Sequence, residues 1–408
     1  MKKYFQDLSN NTTNRFLLAC ISATVNEEQK ENIKRLSFNG IDWDYFIRQA
    51  QLQQILPLIY NVLRTNIEER SIPEDTGFQF KKNYYLNLKK NLLIWEELKK
   101  VLNILEANRI SAIPLKGVVL SEILYQDIGV RTGGDIDIFV QKTDLLKVNT
   151  LMQENGYREN YVPCLNSDYN EYSVLEFVKP NNGLHLEFHW MIAEPGLFSI
   201  DYARIWNNLV TYKIEGKELS LLSPENNLLY LSLHLHRHIS ESMLNLKLIC
   251  DVALALKKYQ NEIQWNRFLQ KVKDLRASSV LYYSFKLAGE LLGAPIQYEF
   301  LDNIKPVYFK RRILARLFSH TSLLAQGFIK KHSLPWYKNL AIYFILFDTF
   351  PRFHRLFISK KRFSKAYSLS LDSKKTSIYY YFRLFYLPFR LLGALLNSFI
   401  NRQNAKRW

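Results

Sequence analysis

The chain has 408 residues, of which 48% are hydrophobic, and it carries a net charge of +17. That length and composition are those of a folded protein with two or three domains. Its three cysteines, Cys20, Cys164 and Cys250, are odd in number and widely spaced, which excludes a disulfide framework or a cysteine metal motif and places the chain in a reducing cytoplasm. The N-terminal MKKYFQDLSNNTTNRF has no continuous apolar run and no cleavage pattern, so it does not read as a signal peptide.

Residues 1–109 read as a helical region. Helices are expected over Phe16–Ala23, Glu27–Leu36, Trp43–Leu63 and Phe78–Ala107. In the last of these, Leu86, Leu88, Leu92, Leu93, Trp95, Leu98, Val101, Leu102 and Leu105 form a broad apolar stripe, and Asn108-Arg109 ends it. An α/β core follows over residues 110–222, with strands near 110, 136, 173 and 184 and helices at Val118–Gln126 and Thr143–Asn155. Ser223-Pro224-Glu225 opens a third, helical region over 223–302, with Ser223 as cap and Pro224 at the first helical position. The fold class expected is therefore α+β, a mixed sheet between helical flanks.

The most informative stretch is Arg131-Thr-Gly-Gly-Asp135-Ile-Asp137-Ile-Phe-Val140. Strand side chains alternate, so Asp135 and Asp137 share a face that continues with Phe139, while Ile136, Ile138 and Val140 take the other. Two adjacent carboxylates repel each other, and a divalent cation such as Mg²⁺ relieves that repulsion. The competing reading is a solvated strand end with two ordinary surface aspartates. Upstream, Ile110–Leu115 reads as a strand, Lys116-Gly117 as a turn and Val118 onward as a helix. Backbone N–H groups and a lysine at such a junction suit phosphate. Downstream, Gly183-Leu-His-Leu-Glu187-Phe-His-Trp190 alternates as a strand with His185, Glu187 and His189 on one side. Glu187 is then a third carboxylate for the same site, and His189 reads as a brace of its strand or, alternatively, as a group that approaches the substrate. Together these are the parts of metal-assisted nucleotidyl transfer.

The order of LKG, Tyr125, RTGGDIDIFV, Asn155-Gly156-Tyr157 and HLEFHW resembles that of bacterial nucleotidyltransferase-fold proteins of uncharacterised activity, distant relatives of the polymerase-β type. The resemblance covers roughly residues 45 to 275, from the Ala50–Tyr60 lead-in to the Leu228–His238 helix and Leu248-Ile-Cys-Asp251. It implies a nucleotidyltransferase-type core and two metals, Mg²⁺ or Mn²⁺, on Asp135, Asp137 and Glu187. It implies an NTP such as ATP near Lys116, Gly117 and Arg131; Gly134 completes the expected nucleotide-binding set. The Lys-Gly turn replaces the usual Gly-Ser or Gly-Gly, and its gap to Asp135 is longer than common. The function expected is transfer of NMP from an NTP to a hydroxyl acceptor that the chain does not name. The alternative is a catalytically inactive nucleotide-binding protein, or a membrane-peripheral accessory of surface-polysaccharide biosynthesis.

Two further features have readings of their own. His234, His236 and His238 lie on one helix, with His234 and His238 at the i,i+4 spacing of zinc sites, but no third ligand follows. A helix packed near the cleft is the expectation. Residues 303–408 form a basic, aromatic-rich region: from Lys305 onward, 11 Lys and 10 Arg stand against Asp348 and Asp372, so the remainder of the chain is close to neutral. Leu340–Phe347 is too short to span a bilayer, and Ile378–Ile400 is interrupted by Arg383, Arg390 and Pro388. The region suits packing on the core, an anionic membrane surface on the inner face, or single-stranded nucleic acid.

Overall fold

The computed structural model describes residues 12–35, 40–67, 72–161, 174–193, 197–240, 245–312 and 348. The expectations for Leu340–Phe347, Ile378–Ile400 and nearly all of the basic C-terminal region lie outside these residues. Among the described residues no helix is long and apolar enough to cross a membrane.

The N-terminal part is helical, as expected: α1 Thr12–Ser22, α2 Glu27–Arg35, α3 Trp43–Leu52, α4 Leu56–Asn66 and α5 Glu74–Ala107. The single helix expected over Trp43–Leu63 is two. Gln54 takes a left-handed φ of 58°, and Pro57 sits in the first turn of α4, where its missing N–H costs nothing. Helix α5 starts at Glu74 rather than Phe78, with Glu74 and Asp75 set against the positive end of its dipole. Its buried stripe also differs from expectation. Phe80, Tyr84, Asn91, Ile94, Trp95, Leu98, Val101, Leu102 and Leu105 face the core, whereas Leu86, Leu92 and Leu93 are exposed. The 3.6-residue period puts positions 84, 91, 95, 98, 102 and 105 on one face and turns 86 and 93 away from it.

The sheet is mixed and five-stranded, in the order β1-β2-β5-β4-β3. Its strands are β1 Ala112–Pro114, β2 Asp135–Val140, β3 Arg158–Tyr161, β4 Val174–Val178 and β5 His185–His189. Only β2 and β5 run parallel; the other neighbours are antiparallel. Helix α6, Val118–Leu120, continues as a wider π turn over Ser121–Tyr125, and α7 Leu145–Glu154 joins β2 to β3. Phe139 lies fully buried and stacks on Trp206 at 5.0 Å, so the aspartate face of β2 is covered at its far end. Trp206 ends α8, Tyr202–Trp206.

Strands β3, β6 Leu209–Ile214 and β7 Lys217–Leu222 are not anticipated by the sequence reading. The β6–β7 hairpin turns through Glu215 and Gly216, both at positive φ, the primed two-residue turn that matches strand twist. It packs beside β1. After Pro224 the chain is helical, with α9 Pro224–Ser240, α10 Leu246–Tyr259, α11 Trp265–Asp274, α12 Ser278–Leu292 and α13 Tyr298–Asn303. Helices α9, α10 and α12 pack on one another, α10 also meets the Ser121–Tyr125 turn, and α1 packs on α12. The fold is therefore α+β, a mixed sheet with helical flanks of the kind a nucleotidyltransferase core has.

Candidate metal centre

The parallel register of β2 and β5 sets Asp135 opposite His185, Asp137 opposite Glu187 and Phe139 opposite His189. Asp135, Asp137, Glu187 and His189 therefore share one face of the sheet, while Ile136, Ile138, Leu186 and Phe188 are buried on the other. Asp137 is only 3% exposed. Its Oδ1 accepts from Lys116 Nζ at 3.0 Å and lies 3.0 Å from His189 Nε2, which is in turn 3.2 Å from Glu187 Oε2. Asp137 Oδ2 is buried and has no hydrogen-bond partner. Burial pushes the Asp137 carboxyl up, but Lys116 and His189 override it and hold the group well below the usual carboxylate range. The converse holds for Lys116 and His189. Burial pulls both down, and Asp137 outweighs it, so both are raised.

Asp137, Glu187 and His189 each offer a ligand atom, all within 4.8 Å of one another, and among the described residues they are the group so placed. An orphaned, buried carboxylate oxygen beside a second carboxylate and an imidazole is a donor set that fits a divalent cation. Asp135 sits at the exposed rim. Burial of part of its carboxyl, then the charges of Glu187 and Asp137, raise its pKa. The sequence expectation grouped Asp135, Asp137 and Glu187. The structure brings all three to one face, with His189 lodged between the two inner carboxylates.

Lys116 and Gly117 join β1 to α6. Gly117 has φ 71° and ψ −133°, a conformation that glycine adopts without strain, and a Cβ there would lie 3.5 Å from the Asp135 carbonyl oxygen. The turn therefore packs directly on the start of β2, and Leu115 N donates to Asp137 O at 3.0 Å. The Lys116 ammonium, expected at a phosphate, reaches Asp137. The helix expected over Val118–Gln126 is a single α turn followed by a wider one, closed by Gln126 at φ 57°. Fewer aligned peptide dipoles point at the turn than a full helix supplies.

The loop before β2 is held by side chains of α5. Asn87 Nδ2 donates to the carbonyls of Gly129 and Arg131, and Asn91, itself fully buried, donates to Ile128 and Arg131. Tyr84 bonds the Asp127 carboxylate, which also accepts from Gly129 N at 2.8 Å. Arg131, expected near the NTP, is buried and pairs instead with Asp251 of α10. Its Nε and Nη2 each lie 2.8 Å from one carboxylate oxygen, and Tyr125 Oη donates to the same group at 2.7 Å. Burial lowers the Arg131 pKa, but the Asp251 charge more than restores it. Its best-directed donors are thus committed within the protein.

Two other cations border the loop. Lys247 Nζ donates to Thr132 O at 3.3 Å and to the Gln54 side chain. Burial, then the nearby Arg131 charge, lower its pKa to about 7. Lys90 Nζ lies 3.7 Å from where a Cβ on Gly134 would stand, so Gly134 gives the lysine room beside the loop. On the other side of the carboxylates a cleft opens between β5 and α9. Lys116, Glu187, His189 and Tyr230 line it together with Met191, Phe198, Leu233 and His234. His234 stacks on Tyr230, with ring centroids 5.9 Å apart. Burial and then Lys116 hold His234 well below its ordinary pKa. The histidine helix thus packs at the cleft, as the absence of a third ligand in the sequence suggested.

A family model described as "Uncharacterised nucleotidyltransferase" matches residues 39–293. The chain belongs to this nucleotidyltransferase family. The match takes in α3 to α12 and every residue of the carboxylate face. No curated protein and no solved structure matches the chain.

For this nucleotidyltransferase family member, the sequence reading missed His189 as a partner of the carboxylates, placed Asp251 in the helical region without its pairing to Arg131, and missed Lys247, Asn87 and Asn91 altogether. His189 had a signal, since it alternates in phase with Glu187 on β5. Asn87 and Asn91 carry a weaker one, an i,i+4 polar pair on an otherwise apolar helix face. Asp251 and Lys247 have none, because only the tertiary fold brings α10 to the loop.

Proposed function

We propose that the protein is a metal-dependent nucleotidyltransferase that moves NMP from an NTP to a hydroxyl acceptor. The observation that carries this reading is the side-by-side placement of Asp137 and Glu187 on parallel strands, with one buried oxygen of Asp137 left without a partner. A divalent cation bound there supplies positive charge to the α-phosphate oxygens and lowers the pKa of the acceptor hydroxyl.

In this reading Asp137 and Glu187 hold the cation and Asp135 completes the set from the rim. Lys116 keeps Asp137 ionised and oriented. The acceptor oxygen attacks the α-phosphorus, the bond from that phosphorus to the bridging oxygen of the β-phosphate breaks, and pyrophosphate leaves. The acceptor proton passes to a carboxylate, for which half-buried Glu187 at the cleft is suited. Lys247 and Lys90, beside Gly134, are placed to offset charge on the phosphates, a role the sequence reading gave to Lys116 and Arg131. Gly117 and Gly134 let the backbone come close. The cleft toward Tyr230 and His234 takes the second substrate.

A second reading has one observation in its favour. Lys116 and His189 both pair with Asp137, which suits a nucleotide-binding protein without turnover. Incubation of wild type and Asp135→Ala/Asp137→Ala with each α-labelled NTP, Mg²⁺ or Mn²⁺ and candidate acceptors separates the two. Label transferred by wild type alone supports the enzyme. Nucleotide binding with no transfer under any metal overturns it in favour of the binding protein.

A further inference from the structure

We infer that His189 is itself a metal ligand, and that the centre therefore takes a first-row transition cation such as Mn²⁺ in preference to Mg²⁺. The inference rests on the metal-dependent reading above and concerns the ligand set. His189 Nε2 is 3.0 Å from Asp137 Oδ1 and 3.2 Å from Glu187 Oε2. Two donors bound to one cation at adjacent positions, each at about 2.1 Å, stand about 3 Å apart. The three side chains are thus already spaced as neighbouring corners of a coordination polyhedron. His189 Nε2 lies between the two carboxylates, so a cation held among the three groups needs little movement of the side chains.

Two features support ligation over a purely bracing role. Asp137 is almost wholly buried, and its Oδ2 has no hydrogen-bond partner, which leaves a strong acceptor unsatisfied unless a cation uses it. The strand register fixes Glu187 and His189 two residues apart on one face, so both reach the same point beside Asp137. A neutral imidazole adds a donor without adding charge. The ring binds through the Nε2 lone pair, with its proton on Nδ1. Mg²⁺ favours oxygen and keeps its waters, whereas imidazole nitrogen suits the transition cations.

The test uses the full chain stripped with a chelator, with Mn²⁺ as the probe and pulsed EPR as the readout. A nitrogen coupling is expected in the Mn²⁺ complex, and it changes to the ¹⁵N pattern when histidine alone is ¹⁵N-labelled. His189→Gln is expected to remove the coupling and raise the Mn²⁺ Kd by about tenfold or more, while the Mg²⁺ Kd stays within about twofold. Thermal melting of the chelated variant checks that it folds, and the labelled wild type needs no variant at all. Mn²⁺ bound without histidine nitrogen, or bound no tighter than Mg²⁺, overturns the inference. Nucleotidyl transfer observed in that same preparation leaves the proposed function standing. A histidine coupling without transfer has the opposite meaning. Failure of both metals to bind removes both readings.

Discussion

Asp251 of α10 holds Arg131 through two 2.8 Å hydrogen bonds, and so ties the helical region after the sheet to the loop that delivers Asp135 and Asp137. The pair is buried on both sides. Asp251→Asn leaves the guanidinium without its counter-charge, and the cost expected is about 3–5 kcal/mol. Urea unfolding of the two proteins measures it. A loss well under 1 kcal/mol would show that the pair is not the anchor described.

Asp135 and Asp137 are expected to separate stability from activity. Asp137→Asn removes the counter-charge of half-buried Lys116, so it lowers both thermal stability and NMP transfer. Asp135 is exposed and its raised pKa reflects partial burial and repulsion by Glu187 and Asp137. Asp135→Asn should therefore melt at or above the wild-type temperature while transfer falls by roughly 10²-fold or more. Melting curves and the labelled-NTP assay, run side by side, check both halves.

His236 gives a pH dependence. Burial lowers its pKa to about 3 in the folded chain, against about 6.5 for an unfolded histidine. Below the unfolded value the unfolded chain takes up a proton that the folded chain refuses. The contribution of His236 is thus fully present above pH ~6.5 and is lost as pH falls toward ~3, by about 1.4 kcal/mol per unit in that window. His236→Gln should flatten the slope of unfolding free energy between about pH 6 and pH 4. Denaturant curves at several pH values, with wild type as control for the other groups, read the difference.

Gly117→Ala tests the turn. The new methyl meets the Asp135 carbonyl at ordinary contact distance, so crowding is minor and the left-handed backbone is the penalty. A loss of about 1–3 kcal/mol is expected, with a further drop in transfer because the turn abuts β2. Unchanged stability would mean that the turn relaxes at no cost.

The elements that sequence reveals are those with a local signature. The alternation of Asp135–Val140 and Leu184–His189 marks both site strands and the shared face of Asp135 and Asp137. Gly117 is legible as a turn, and Ser223-Pro224 as a helix start. The stripe on α5 is legible only in its second half. Leucines at 86, 92 and 93 look like core, yet the true face runs through Tyr84 and Asn91. Short strands such as β3 carry too few residues for a period to show. Arg131 exposes the larger limit. A basic residue beside two carboxylates invites a phosphate or an aspartate of its own strand as partner, and the actual partner comes from a helix far along the chain.

The parallel pairing of β2 with β5 also has a meaning in time. Asp137 and His189 stand 52 residues apart in the chain, and the segment between them crosses to the far edge of the sheet, forms β3 and β4, and returns before the two meet. Long-range parallel pairing is slow relative to hairpins and helices, because the chain loses loop entropy before any contact rewards it. The face that carries Asp135, Asp137, Glu187 and His189 is therefore complete only when β5 lies beside β2.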